Sequence, residues 1–285
     1  MQATAWSPLG LFRQLGQAEV MNIGFIGLGS MGTRIVTLML DAGHHLTVWA
    51  RRPASLEPFA GRVDVATSPA GVAEASELVG ICVWDESGVD EVILGDRGVL
   101  AGMRAGGVVA VHSTISPAAC RRLHAATVDR GVGLVDAAVS VGANLPKLLV
   151  MVGGDPAVVE QCREALESFG DPVVHLGPVG SGQIAKIVNN ALVAATVGLA
   201  DDAIALGHDL GLDESALAEA LAVGAAGGTW SGLIARRRSG EVRPKFTYEW
   251  AAKDVGLALE LAADAAIDTT REVLRLAVRG VEVLG

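Results

Sequence analysis

Three glycines at a fixed spacing, between an apolar strand-like segment and a helical pattern, constrain this chain most. The motif Gly27-Leu28-Gly29-Ser30-Met31-Gly32 begins at the end of the apolar segment 22–27, and residues 31–40 then show helical apolar spacing. In this context the first glycine permits a tight turn, the second a close backbone approach to a pyrophosphate, and the third close helix–strand packing. The segment therefore predicts a dinucleotide-binding unit with phosphates at the positive end of a helix.

Strand-like and helical segments alternate as far as residue 176, and only helices are predicted after Gly182. The further strands are predicted at 45–50, 78–84, 108–112, 133–136, 148–153 and 172–176. Helices are predicted at 69–76, 89–94, 117–129 and 156–169, and later at 183–207, 212–223, 249–263 and 269–280. Such alternation favours a parallel sheet covered by helices on both faces. We predict a loose N-terminal extension (1–20), an α/β Rossmann-type domain (21–182) and an all-α domain (183–285).

Composition excludes several functional classes. The formal net charge of −10 is unsuited to nucleic-acid binding, and the 51% hydrophobic content argues against a disordered chain. No apolar run reaches the roughly 18 residues of a membrane span, and residues 1–20 lack the apolar region of a secretory signal. Cys82, Cys120 and Cys162 have no metal-ligand spacing. We therefore predict free, buried thiols, a cytoplasmic protein and no metal site.

The end of the second predicted strand indicates which dinucleotide is preferred. An acidic residue here usually binds the ribose 2′-hydroxyl of NAD, but this chain carries Arg51 and Arg52. Two arginines can pair with a 2′-phosphate. The sequence therefore predicts NADP(H) as the preferred cofactor and NAD(H) as the alternative. A solvated arginine pair on a surface loop is the competing interpretation.

Six ordered motifs resemble those of the β-hydroxyacid dehydrogenase family, and the resemblance covers about residues 21–280. The motifs are the glycine motif, Ser113-Thr114-Ile115-Ser116-Pro117, Asp136-Ala137-Ala138-Val139-Ser140-Val141-Gly142, Met151-Val152-Gly153-Gly154-Asp155, Gly180 to Asn190, and Lys253-Asp254 after Phe246. The resemblance implies hydride transfer between a nicotinamide cofactor and a small carboxylate-bearing β-hydroxyacid or its semialdehyde or keto acid.

The candidate catalytic group lies on the first predicted helix after Gly182. Lys186, Asn189 and Asn190 stand at i, i+3 and i+4, so they share one helix face. A lysine in a partly dry cleft exchanges its proton more readily than one in water. The resemblance implies that Lys186 is the acid/base and that Asn190 fixes the substrate. On spacing alone, Lys186 could equally be a surface lysine.

Further site residues follow from the same resemblance. Ser140, Val141, Gly142 and Asn189 are predicted to bind the substrate, with a carboxylate at Ser140. The predicted cofactor contacts outside the glycine motif and the arginine pair are Val83, Trp84, Thr114 and Lys253. A surface ion pair with a neighbouring carboxylate is the competing interpretation for Lys253. Val141 replaces a glycine of the family pattern, and the following loop is shorter, so the substrate is expected to differ from the familiar hydroxyacids.

Two other functions compete with this interpretation. Imine reductases are similar in architecture but usually carry Asp or Tyr at the position of Lys186. A catalytically silent, dehydrogenase-like binding module would be expected to lack that lysine and to lie beside basic segments. The presence of Lys186 and the acidic composition favour the hydroxyacid enzyme.

The helix predicted at 183–207 is apolar over most of its circumference. A helix of this kind must be buried, and one small helical domain can hardly cover it. We therefore expect a homodimer or a larger homo-oligomer, which the family resemblance also implies.

Overall fold

The computed structural model describes residues 20–141, 146–224, 226–228, 234, 245–264 and 271–284. The predicted N-terminal extension therefore lies outside the described residues, apart from Val20. The strands are β1 (Asn22–Ile26), β2 (His45–Trp49), β3 (Asp64–Val65), β4 (Leu78–Ile81), β5 (Val108–Val111), β6 (Gly133–Ser140), β7 (Leu148–Gly153) and β8 (Gly170–Gly177). The helices of this part are α1 (Ser30–Asp41), α2 (Pro69–Glu74), α3 (Glu86–Leu94), α4 (Val99–Gly102), α5 (Pro117–Val128) and α6 (Pro156–Phe169).

All eight strands belong to one sheet, in the order β3-β2-β1-β4-β5-β6-β7-β8. Strands β1 to β6 pair in parallel. From β1 the chain adds β2 and then β3 on one side of the sheet, and it then returns to form β4 on the other side of β1. The strand order therefore reverses between β1 and β4, where open α/β sheets bind their ligands. The predicted Rossmann-type α/β domain is confirmed.

The prediction of a wholly parallel sheet is wrong for its last two strands. Strand β7 runs antiparallel to β6, and β8 is parallel to β7. Residues 141–147 connect β6 to β7, and this segment is too short for a parallel crossover, which takes a dozen or more residues. Strand β6 also continues to Ser140, beyond the predicted end at Asp136, because its second half pairs with β7. The sequence interpretation also missed β3, α4 and a 3₁₀ segment, Pro53–Phe59.

Buried side chains cover both faces of the sheet. One cluster includes Phe25, Ile35 and Phe169, and a second includes Ile81 and Leu123. Strands β4 and β5 are buried along their whole length. Their continuous apolar runs fit a parallel sheet with helices on both sides.

The rest of the described chain is helical, as predicted. It comprises α7 (Ser181–Asp209), α8 (Glu214–Val223), α9 (Lys245–Asp264) and α10 (Arg271–Leu284). Helix α7 packs against the end of the sheet and against α9 and α10. By length and composition α7 could also cross a membrane. A core helix meets the same test, and the inner face of α7 is buried by the elements around it.

Helix α7 approaches α10 closely through two glycines, Gly198 and Gly280. A Cβ atom on Gly280 would lie 1.7 Å from the carbonyl oxygen of Ala194, and one on Gly198 would lie 2.9 Å from the backbone nitrogen of Gly280. The absence of side chains at these two positions is what lets the backbones meet.

The outer face of α7 exposes large apolar side chains, so the predicted burial of this helix holds for only one face within a single chain. Five of these side chains are between 45% and 61% exposed: Ile184, Val188, Leu192, Leu199 and Leu206. We call this set the α7 outer face.

Candidate active site

The glycine motif forms the turn between β1 and α1, at the point where the strand order reverses. Gly27 has a φ of +100°, and a Cβ atom there would lie 2.2 Å from the carbonyl oxygen of Cys82. A Cβ atom on Gly32 would lie 1.9 Å from the oxygen of Gly27. The first and third glycines are therefore required for the turn itself and for packing of α1 against β1.

Gly29 differs because a Cβ atom there would have no described heavy atom within 4 Å. It is the residue that precedes α1, and its missing side chain leaves the N-terminus of the helix open, without a side-chain cap. Ser30 is exposed, Met31 is half-buried and Leu28 is buried. The first backbone N–H groups of a helix have no partner within the helix, so an N-terminus left open by the described residues fits the pyrophosphate of a dinucleotide.

Arg51 and Arg52 follow β2 and are both exposed. The Arg51 guanidinium forms an ion pair of 2.6 Å with Glu91 on α3, and both side chains are more than half exposed. The sequence interpretation missed Glu91, because 40 residues separate it from Arg51. A 2′-phosphate would therefore compete with the Glu91 carboxylate for the Arg51 guanidinium.

The ends of β4 and β5 lie beside the glycine turn. The backbone N–H of Val83 donates to Ser113 Oγ at 2.8 Å, which joins the two strand ends. Trp84 is 46% exposed at the surface, and Thr114 is half-buried. These predicted cofactor contacts thus share one edge of the sheet with the glycine motif.

The first turns of α7 bring Lys186 and Asn190 into the interior, where 7% and 2% of their surfaces are exposed. Asn189 is half-buried and donates through Nδ2 to Asn190 Oδ1 at 3.0 Å. The predicted common helix face is therefore present. The interpretation of Lys186 as a solvated surface residue is wrong for this structure.

Helix α9 contributes two neighbouring charged residues to the same place. Asp254 is fully buried and accepts a hydrogen bond of 2.5 Å from Asn190 Nδ2. Lys253 Nζ lies 2.6 Å from Asp254 and donates to the carbonyl oxygen of Thr114 at 2.9 Å. Lys253 does form an ion pair with its neighbour, but the pair lies inside the site and also joins α9 to the end of β5.

Burial controls the electrostatics of Lys186. Loss of hydration lowers the pKa of the Lys186 ammonium from 10.5 to about 8, and the positive charge of Lys253 acts in the same direction. The negative charge of Asp254 opposes this shift in pKa. Within the part of the chain that the structure describes, Lys186 forms no hydrogen bond or ion pair. Its ammonium group is therefore available to a bound substrate.

Cys82 lies at the same junction, between the glycine turn and Lys186. Its thiol is free, and burial raises the pKa of Cys82 to about 12. With a pKa this high, the thiol of Cys82 is neutral near neutral pH. Sequence reasoning gave Cys82 and Asp254 no role, although the match to the Lys253-Asp254 motif was a signal that could have pointed to Asp254.

The predicted substrate loop follows β6. Ser140 is the last residue of β6, and Val141 is 46% exposed. Gly142 lies outside the described residues. The other end of the loop is attached to the fold, since Arg34 donates to the Pro146 oxygen at 3.4 Å and Lys147 donates to the Glu167 oxygen at 2.6 Å.

Comparison with protein families covers both halves of the chain. Residues 22–177 match the family described as the NAD binding domain of 6-phosphogluconate dehydrogenase. Residues 180–278 match the family described as NAD-binding of NADP-dependent 3-hydroxyisobutyrate dehydrogenase. The fold, the open glycine turn and these matches define an NAD(P)-dependent oxidoreductase.

Individual relatives agree with this class over nearly the whole chain. The chain is 34% identical to the NAD-dependent L-serine dehydrogenase of Pseudomonas aeruginosa over 266 residues, 89% of each protein. It is 32% identical to the 2-hydroxy-3-oxopropionate reductase of Escherichia coli, over 87% of this chain and 86% of the relative. Among solved structures, the 3-hydroxyisobutyrate dehydrogenase of Mycobacterium tuberculosis with L-serine superposes with a TM-score of 0.79 at 26% identity, over 92% and 93% of the two chains. This chain belongs to the β-hydroxyacid dehydrogenase family.

Proposed function

We propose that this enzyme interconverts a small β-hydroxyacid and the corresponding semialdehyde or keto acid, with Lys186 as the proton carrier. The main support is a desolvated lysine without a protein partner among the described residues, at the edge of the sheet where the glycine turn opens. When bound, the reduced cofactor NAD(P)H would supply the hydride for reduction, and the oxidised form NAD(P)⁺ would accept it for oxidation. During reduction Lys186 Nζ gives a proton to the carbonyl oxygen, and during oxidation it takes the hydroxyl proton.

Asn190 and Asp254 assist this step in different ways. The Asn190 amide is held between Asp254 and Asn189, so it has a fixed orientation toward a substrate hydroxyl or carbonyl group. The negative charge of Asp254 raises the pKa of Lys186 against the effect of burial, so the lysine stays mostly protonated near neutral pH. Neither residue needs to transfer a proton.

The substrate carries a carboxylate, which we assign to Ser140 and the backbone that follows β6. Two of the similar proteins are named for or shown with L-serine, and another is named for 2-hydroxy-3-oxopropionate. The first experiment is therefore a panel of L-serine, 3-hydroxyisobutyrate, glyoxylate, 2-hydroxy-3-oxopropionate and succinic semialdehyde. NADPH and NADH absorbance is followed in both directions. Turnover of at least one member is expected, and no turnover of any hydroxyacid, semialdehyde or keto acid would contradict the proposal.

We further propose that NADP(H) is the preferred cofactor, through Arg51 and Arg52. Arg51→Asp should weaken NADPH binding on the order of 10–100-fold, the scale of a charged hydrogen bond, and leave NADH binding nearly unchanged. Glu91→Gln should strengthen NADPH binding by up to about fivefold, because it releases Arg51 from an exposed ion pair. Fluorescence titration of both cofactors tests this. Equal affinities for NADPH and NADH in the unmodified enzyme would leave the arginines as solvated surface residues.

The proposed assembly is a homodimer in which the α7 outer face packs against a second copy. Apolar side chains recur along nearly the full length of α7 on this face. Contiguous exposed apolar patches of this kind mark interaction sites. A symmetric dimer would place the same helix of each copy in the interface.

A further inference from the structure

A buried glutamine joins the first turn of α7 to the end of β5. Gln183 is fully buried. Its Oε1 accepts from the backbone N–H of Ile115 at 3.1 Å, and its Nε2 donates to the carbonyl oxygen of Ser113 at 2.8 Å. One side chain therefore satisfies two backbone groups on either side of Thr114.

A buried carboxylate holds the same turn of α7 against β6. Asp136 is fully buried. Its Oδ1 accepts from the backbone N–H of Gly180 at 2.6 Å, and its Oδ2 accepts from the backbone N–H of Gln183 at 2.8 Å. Gly182 lets the two elements approach, since a Cβ atom there would lie 2.4 Å from the oxygen of Met151. The start of α7 is thus hydrogen-bonded to β6 and to the segment after β5, and it lies closely against β7.

We infer that Gln183 and Asp136 are positioning residues for Lys186, an inference that deepens the proposed function and rests on it. Lys186 lies one helical turn beyond Gln183, so the hydrogen bonds of Gln183 set the distance between the lysine and the strand ends at the site. The same bonds order the backbone at Thr114, to which Lys253 donates. A misplacement of about 1 Å can cost on the order of 100-fold in rate, so small movements of this turn should affect catalysis.

The same contacts keep Lys186 in dry surroundings. Among the described residues, the charged or titratable groups that act on its ammonium group are Cys82 after β4 and Lys253 and Asp254 on α9. If the first turn of α7 moves away from β5 and β6, water enters beside Lys186. Hydration favours the charged form, so the pKa of Lys186 should then rise from about 8 toward its ordinary value.

The test compares Gln183→Met, which keeps length and removes both hydrogen bonds, with Gln161→Met as a matched control. Gln161 on α6 also donates to a backbone carbonyl group, that of Gly106, which lies 55 residues away in the sequence. This hydrogen bond is exposed, whereas those of Gln183 are buried. Gln183→Met should lower kcat on a substrate of the unmodified enzyme about 10–100-fold, while the Kd for the cofactor changes less than about threefold. Gln161→Met should leave both values unchanged.

A second readout is independent of turnover. The chain contains only four lysines, Lys147, Lys186, Lys245 and Lys253. Protein labelled with [ε-¹³C]lysine therefore gives few NMR signals. The signal that is lost in Lys186→Arg is that of Lys186. The titration of Lys186 should move to higher pH in Gln183→Met and stay in place in Gln161→Met. If the unmodified enzyme turns over no substrate, the proposed function fails while this titration still tests the positioning.

An unchanged kcat together with an unchanged Lys186 titration in a folded Gln183→Met would overturn the inference. Should that variant fail to fold, Gln183→Asn retains the amide but is one methylene shorter, so it cannot reach both Ser113 and Ile115. For Gln183→Asn we also expect a lower kcat and a Lys186 titration at higher pH. If neither change occurs, the inference is overturned in the same way. Thermal unfolding of each variant distinguishes lost stability from lost positioning.

Discussion

At the scale of single residues, the site depends on the balance of effects on Lys186. Burial lowers the pKa of its ammonium group more than the carboxylate of Asp254 raises it. The result, a pKa of about 8, lies close to neutral pH, where proton donors and acceptors are most effective. The free thiol of Cys82 and the ion pair of Lys253 complete these surroundings.

This balance predicts opposite pH dependences for the two directions of the reaction. Reduction needs protonated Lys186, so kcat/KM for the carbonyl substrate should fall as pH rises through about 8. Oxidation needs the neutral amine, so kcat/KM for the hydroxyacid should rise through the same pH. Steady-state rates between pH 6 and about 10 measure both curves, which report the free enzyme. Two profiles with the same sign would contradict the assignment.

Sequence reasoning found some site residues and missed others for a physical reason. Lys186, Asn189 and Asn190 were recognisable because they match a motif of the family that the sequence resembles, and their spacing places them on one helix face. Gln183 and Asp136 act through backbone groups that the fold brings close, and their partners lie 44 to 70 residues away in the sequence. Residue types and spacing contain no information on such contacts.

At the scale of elements, apolar patterns located most helices and strands but not their directions. Strand β7 is as apolar as the parallel strands β4 and β5, so its sequence does not reveal that it runs antiparallel to β6. The short connection 141–147 was the available signal, because it cannot hold a crossover. Strand β3, with two exposed residues, is too short for a pattern.

The crossing of α7 and α10 allows a direct test of packing between elements. Gly280→Ala should lower the free energy of unfolding by about 1–3 kcal/mol, because the added methyl group would meet the Ala194 carbonyl oxygen. Gly256→Ala on α9 is the control, since its Cβ would have no described heavy atom within 4 Å. Alanine there should leave stability unchanged or raise it by up to about 1 kcal/mol. Urea unfolding of both variants gives the comparison, and equal effects would mean that the close crossing is absent.

At the scale of the whole molecule, the α7 outer face is an apolar surface that a single chain leaves exposed to solvent. Val188→Glu places a charge on this face, where Val188 is 61% exposed in one chain. In the proposed homodimer that charge would be buried, so the variant should dissociate to monomers in light scattering at micromolar concentration. Val128→Glu on α5, where the valine is 55% exposed, should not change the mass. A monomeric unmodified protein would contradict the dimer.

We propose that Lys186 transfers the proton where the two halves of the molecule meet, and replacement of this lysine is the most direct test. Lys186→Ala should leave the Kd for the cofactor unchanged, since the glycine turn and the Rossmann-type half bind it. Turnover of a substrate that the unmodified enzyme reduces well should fall by about 10²–10⁴-fold, the usual contribution of a positioned acid or base. Lys186→Arg should restore little, because a guanidinium does not give up its proton at working pH. Near-normal turnover by Lys186→Ala would contradict the account and assign proton transfer to another group of the cleft.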